Sequence, residues 1–110
     1  MIQETITKIE SKIEKADSIK SENKAELLNL LAELKSEITK LSQTHKEDAL
    51  SITGFADLST HEATRQEKNP QLLQLSLEGL SSSAKGFEAS HPRLVEIVNS
   101  ISLMLSNSGV

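Results

Sequence analysis

The sequence predicts an all-α protein, an antiparallel bundle of about four helices, and three of its features carry that prediction. Large aliphatic residues recur three and four positions apart in four separate stretches, which is the period of one face of an α-helix. No run alternates apolar and polar residues as a half-buried strand would. Glycine (4) and proline (2) are scarce, while Leu, Ile, Ser, Glu and Lys are abundant, a composition that favours helix over turn-rich folds. With 110 residues the chain is expected to form a single domain, residues 1–110, burying roughly 65% of its unfolded surface.

In the first stretch Ile2, Ile6, Ile9 and Ile13 line one helical face, and Glu4 pairs with Lys8 across a turn on another. This helix is expected to end near Ala16. Asp17 and Ser18 then break it, and Ser21 is the expected N-cap of a successor carrying Glu22 in its first turn. Leu27, Leu31, Leu34, Ile38 and Leu41 continue at heptad spacing, and Leu28 and Leu30 widen the apolar face beyond a coiled-coil seam. Residues 1–43 therefore read as a helical hairpin.

Residues 44–69 are weakly specified. Ala49, Ile52, Phe55, Ala56 and Leu58 make a diluted stripe with Gly54 at its centre. One unbroken helix from residue 22 to residue 67 would be about 69 Å long, more than a compact chain of this size can cover. Gly54 costs about 1 kcal/mol relative to Ala inside a helix, so a kink or a mobile loop around residues 44–54 is the expectation.

Residues 70–110 read as a second helical hairpin. Asn69 before Pro70 has the composition of a cap followed by a first helical residue. Leu73, Leu77, Leu80, Ala84 and Phe87 then form the large stripe, and beside it runs a small one of Ser76, Gly79, Ser83, Gly86 and Ser90. Such a small stripe allows close approach of a neighbouring helix, in the same chain or in a second subunit, or else is a serine-rich solvent face. Leu94, Ile97, Val98, Ile101, Met104 and Leu105 give a last amphipathic helix, with Gly109 placed for a C-terminal cap. The expected core is Leu31, Leu34, Ile38, Leu77, Leu80, Phe87, Ile97 and Ile101.

Composition excludes several functions. A net charge of −4, from 16 acidic against 12 basic residues, disfavours a phosphate-backbone partner. Phe55 and Phe87 are the only aromatics besides histidine, so bases find no stacking platform and nucleic acid is not expected as a ligand. Without cysteine there is neither a disulfide nor a thiolate metal site. The opening residues have no basic and apolar leader, and the richest apolar run, Leu94–Leu105, is too short to span a bilayer. A cytoplasmic protein with no membrane contact is expected.

Two constellations invite chemistry. "GFEASHPRL", residues 86–94, crowds Glu88, Ser90 and His91 together. Consecutive helical residues point about 100° apart, which argues against a nucleophile–base pair, and no glycine-flanked elbow accompanies the serine. Ser90 ahead of His91 and Pro92 reads instead as an N-cap, making Phe87, Ser90, His91 and Pro92 a helix corner. The histidines His45, His61 and His91 are far apart, and "HEATR" at 61–65 has Arg65 where a zinc helix needs a second histidine. No metal, cofactor or catalytic residue is expected.

The blocks "EKADSIKSENKAELLNLLAELKSEI" and "GFEASHPRLVEIVNSISLMLSNSGV" resemble a bacterial family of short helical proteins called domain of unknown function 4404. Phe87, Glu88, Ser90, His91 and Pro92 look like its F-E-x-S/T-H-P signature, and Gly109 with Val110 like its glycine-aliphatic terminus. The resemblance covers about two thirds of the chain and departs at residues 44–69. It implies a small helical protein and brings no activity, cofactor or catalytic residue.

Together these readings lead to the expectation of a non-enzymatic association module, self-associating (a dimer first) or binding another protein. Ser76, Gly79, Ser83 and Gly86 are its candidate seam. The rival expectation is a ligand-binding or enzymatic bundle in which His91, Glu88 and Arg93 line a pocket.

Overall fold

Residues 1–108 are described by a computed structural model, and five α-helices make up its regular structure: α1 (Ile2–Lys15), α2 (Ser21–Ser42), α3 (Lys46–Thr64), α4 (Pro70–Ala84) and α5 (Pro92–Ser108). No strand occurs among the described residues, and none of their helices is long and apolar enough to cross a membrane. The expected cap at Gly109 and the terminus at Val110 lie outside the described residues.

Successive helices run in alternating directions. Gln3 at the start of α1 reaches Thr39 near the end of α2 (3.5 Å), and Lys35 reaches back to Glu10 (3.4 Å), so α1 and α2 are antiparallel. Lys12 meets Asp57 at 3.2 Å, at matching depth along α1 and α3, which are therefore parallel. The ion pair between Arg93 and Glu33 joins the start of α5 to the middle of α2. With five helices in alternation, the start of α1 lies at the opposite end of the bundle from the last residues of α5.

The helical count and the middle segment depart from the expectation. Residues 46–64 form one continuous helix through Gly54, and the chain breaks instead at Gln43–His45. No kink is needed, because Gly54 is exposed on the outer side of α3, with open space where a side chain would project. α3 is the hub of the molecule: α1, α2, α4 and α5 all pack against it. Its inward positions are mostly small, with Ala49, Ala56 and Ala63 at most 1% exposed and Thr53, Ser59 and Thr60 also buried. Thr53 Oγ1 donates to Ala49 O (2.8 Å) and Thr60 Oγ1 to Ala56 O (2.9 Å), so the two threonines enter the core already satisfied by their own helix, while Ser59 Oγ has no partner.

Elsewhere the aliphatic stripes are the core. Ile6, Ile9 and Ile13 of α1, Leu27, Leu31, Leu34, Ile38 and Leu41 of α2, Leu73, Leu80 and Ala84 of α4, and Leu94, Ile97, Val98, Ile101 and Leu105 of α5 are all buried. Leu77 and Phe87, expected inside, are half-buried against the core edge. The Ser21 cap is a second correction. Lys20, in extended geometry, occupies the cap position, and its carbonyl accepts from Lys24 N at 2.8 Å. Ile19, 5% exposed, pins the turn inward, which leaves Ser21 as the first helical residue. Asn69 does cap α4, its Oδ1 accepting from Leu72 N at 3.1 Å ahead of Pro70.

Candidate functional site

Two features stand out against the core: the α4–α5 corner, and the face where α3 meets α4. At the corner α4 ends at Ala84, and Lys85 N and Phe87 N donate to Ser82 O (3.2 Å) and Ala84 O (3.3 Å). Gly86 takes φ +105°, a left-handed conformation that glycine adopts without strain. Its N–H donates to both carboxylate oxygens of Glu88, at 2.8 and 2.9 Å. Gly86 is thus a turn residue outside α4, which corrects its place in the helical seam and occupies the carboxylate of Glu88.

His91 N donates to Phe87 O at 2.7 Å and its carbonyl accepts from Val95 N at 3.3 Å, so His91, and not Ser90, stands at the cap position of α5. Ser90 Oγ turns to His91 Nδ1 at 3.0 Å. The expectation that the two side chains diverge assumed helical neighbours; they lie in the turn before the helix, where the hydroxyl can reach the ring. The same arrangement repeats at the head of α3, where His45 caps the helix and Thr44 Oγ1 lies 2.8 Å from His45 Nδ1. The Phe87 ring sits between these two heads, edge-on to His45 (centroids 5.4 Å apart) and to His91 (5.8 Å). Such perpendicular aromatic pairs are favourable beyond their buried area, and here they tie the α2–α3 break to the α4–α5 corner. In the sequence "TH" and "SH" directly ahead of two helices mark the two heads, though not their contact.

A shallow hollow of about 620 Å³ between α4 and α5 is walled by Glu78, Ser81, Ser82, Lys85, Glu88, Val95 and Asn99, without His91. Arg93 donates to Glu96 (3.2 Å) and pairs with Glu33, and these hydrogen bonds, Glu96 first, push its guanidinium pKa further up. It acts as a clasp between α5 and α2. Among the described residues no group of three or more His, Asp or Glu side chains is placed to hold a metal ion. A larger groove of about 670 Å³ lies at the same end of the bundle, between Met1, Ile2 and Gln3 of the α1 start, Thr39, Ser42 and Gln43 of α2, and Lys46 and Leu50 of α3.

The α3–α4 face holds the rest of the candidate seam. Ser76 is buried, its Oγ donating to Leu73 O at 2.8 Å, and Ser83 Oγ donates to Leu80 O at 2.7 Å. Gly79 lies under the ring of Phe55: a Cβ there would come within 2.3 Å of Phe55 Cε1. The close approach at Gly79 is therefore made inside the chain, by an aromatic side chain of α3. Comparison of the chain with protein-family models, with curated proteins and with solved structures finds no match in any of the three.

Proposed function

We propose that the chain is a protein-association module without catalytic activity, self-associating in the first instance as a dimer and acting in the cytoplasm. The observation that carries this reading is a set of large apolar side chains left outside a core that is already closed: Leu58 (46% exposed), Leu72 (42%), Leu75 (57%) and Leu103 (64%). Singly exposed leucines are ordinary on a monomer; Leu72 and Leu75, three positions apart, project from one side of α4, and adjacent exposed leucines of this kind suit an interaction surface. Membership of the helical family resembled by Phe87, Glu88, Ser90, His91 and Pro92 is part of the same proposal, supported by the way these residues build one corner. Sedimentation equilibrium across micromolar concentrations tests it. The expected mass is twice the 12.0 kDa of the chain, and a constant monomer mass would remove self-association.

A further inference from the structure

The outward side of α3 carries a heptad stripe that the core does not use: Glu47, Ser51, Gly54, Leu58, His61 and Arg65, spaced four, three, four, three and four apart. The first five are exposed, and Arg65, the residue that ends the helix, is partly so. The stripe is ordered by size and by charge. Its first half is small (Ser51, Gly54) and its second half large (Leu58, His61), and it begins with an acid and ends with a base.

We propose that this stripe is the contact through which a second copy of the chain docks, with the two α3 helices crossing antiparallel about a two-fold axis at Ala56. The proposal rests on the self-association reading above and assigns its surface. Ala56 is the midpoint of the stripe, so an antiparallel mate sets Glu47 against Arg65, which also pairs with Glu62 of its own helix at 2.9 Å, Ser51 against His61 and Gly54 against Leu58. Each small residue then faces a large one and each acid a base, and the two-fold makes every pair twice, as an isologous interface requires. A parallel mate would set like against like.

Gly54 adds an independent reason. A glycine in a helix interior weakens the helix relative to alanine, and within the chain nothing lies within 4 Å of where its Cβ would be. Intramolecular packing therefore gives no reason for glycine here, while the passage of Leu58 from a second copy does. The surrounding surface also suits a second copy. Phe55, Leu72 and Leu75 are 36%, 42% and 57% exposed. Leu72 and Leu75 share the α4 face with Gly79, under the Phe55 ring, so they continue the apolar surface beside Leu58. Together these four side chains offer on the order of 300 Å² of apolar surface per copy, enough for the centre of an interface of about 800 Å² per partner. α4 has a single charged residue, Glu78, in 15, so two copies of net charge −4 meet across a nearly neutral face.

The test is sedimentation equilibrium on the full chain, with a circular-dichroism melt to confirm that each variant folds. Gly54→Leu projects into open space in the single chain and is expected to keep the melt while raising the dimer dissociation constant by roughly tenfold or more through overpacking against Leu58 of the second copy. Combining it with Leu58→Gly exchanges small for large across the axis and is expected to restore the dimer. A wild-type dimer that Gly54→Leu leaves intact would overturn the α3 surface while self-association stood. Loss without restoration by the double variant would overturn the Gly54–Leu58 register. A monomeric wild type would overturn the surface and the self-association reading together.

Discussion

α2 and α3 make opposite use of the same helical geometry. α2 shows five large aliphatic residues on one face, all of them buried, and packs against α1, α3 and α5. α3 has the most diluted stripe in the chain, yet it touches all four other helices. The difference teaches that a sharp stripe reports large residues on the buried face, not how many neighbours that face meets. The buried side of α3 meets four helices in little room, and it enters with Ala49, Ala56 and Ala63 and with threonines whose hydroxyls bond their own backbone. Close-packed neighbours then supply what its own side chains lack in apolar area.

The contrast can be broken from either side. The largest effect is expected at α2: Leu34 is 0% exposed, and Leu34→Ala should cost about 3–4 kcal/mol of unfolding free energy, read by urea titration, from lost transfer energy and the cavity left behind. In α3 the damaging change runs in the other direction. Ala56→Leu, at 1% exposure, is expected to cost about 1–3 kcal/mol by overpacking between helices that cannot all retreat. If Ala56→Leu proved neutral, the inward side of α3 would not be the tightly packed one described above.

A smaller effect sharpens the α3–α4 contact. Gly79→Leu must displace the Phe55 ring, a cost offset in part by the helix propensity regained, so a net loss of about 1 kcal/mol is expected. In a Phe55→Ala background that loss should vanish, and a double-mutant cycle at constant protein concentration reads the coupling. The smallest predicted change is a gain. Ser59 is 0% exposed and its Oγ has no hydrogen-bond partner, so Ser59→Ala should raise stability by about 0.5 kcal/mol, seen as a higher melting temperature.

How far the sequence foretold the fold follows from the same contrast. The isoleucines of α1, the leucines of α2 and the apolar set of α5 could be placed because each spends its large residues on one face. Asn69 with Pro70 could be placed because capping is a local interaction. α3 was hidden because Thr53, Ser59 and Thr60 count as polar in any periodicity argument, although two of the three satisfy their hydroxyls without leaving the helix. The α2–α3 break was expected from length, around residues 44–54, but its place at Gln43–His45 was not sharp because "SQTH" has neither glycine nor proline. At the corner, the composition of "GFEASHPRL" located the turn, but Ser90 and His91 exchanged roles. The backbone N–H of His91 is taken by Phe87 O, a fact of the turn's path that residue type does not encode. The pairing of Phe87 with His45 joins residues 42 positions apart in sequence and had no local signal.

The odd number of alternating helices fixes the polarity of the whole chain. A domain or label joined ahead of α1 would sit at the pole of the His45–Phe87–His91 cluster, and one joined after α5 would sit at the other, along the 37 Å long axis. An up-down bundle with one helix fewer would return both attachments to one pole. The five-helix arrangement therefore gives the two attachments different surroundings. An antiparallel pairing through α3 would bring the two kinds of attachment side by side at both poles of the pair.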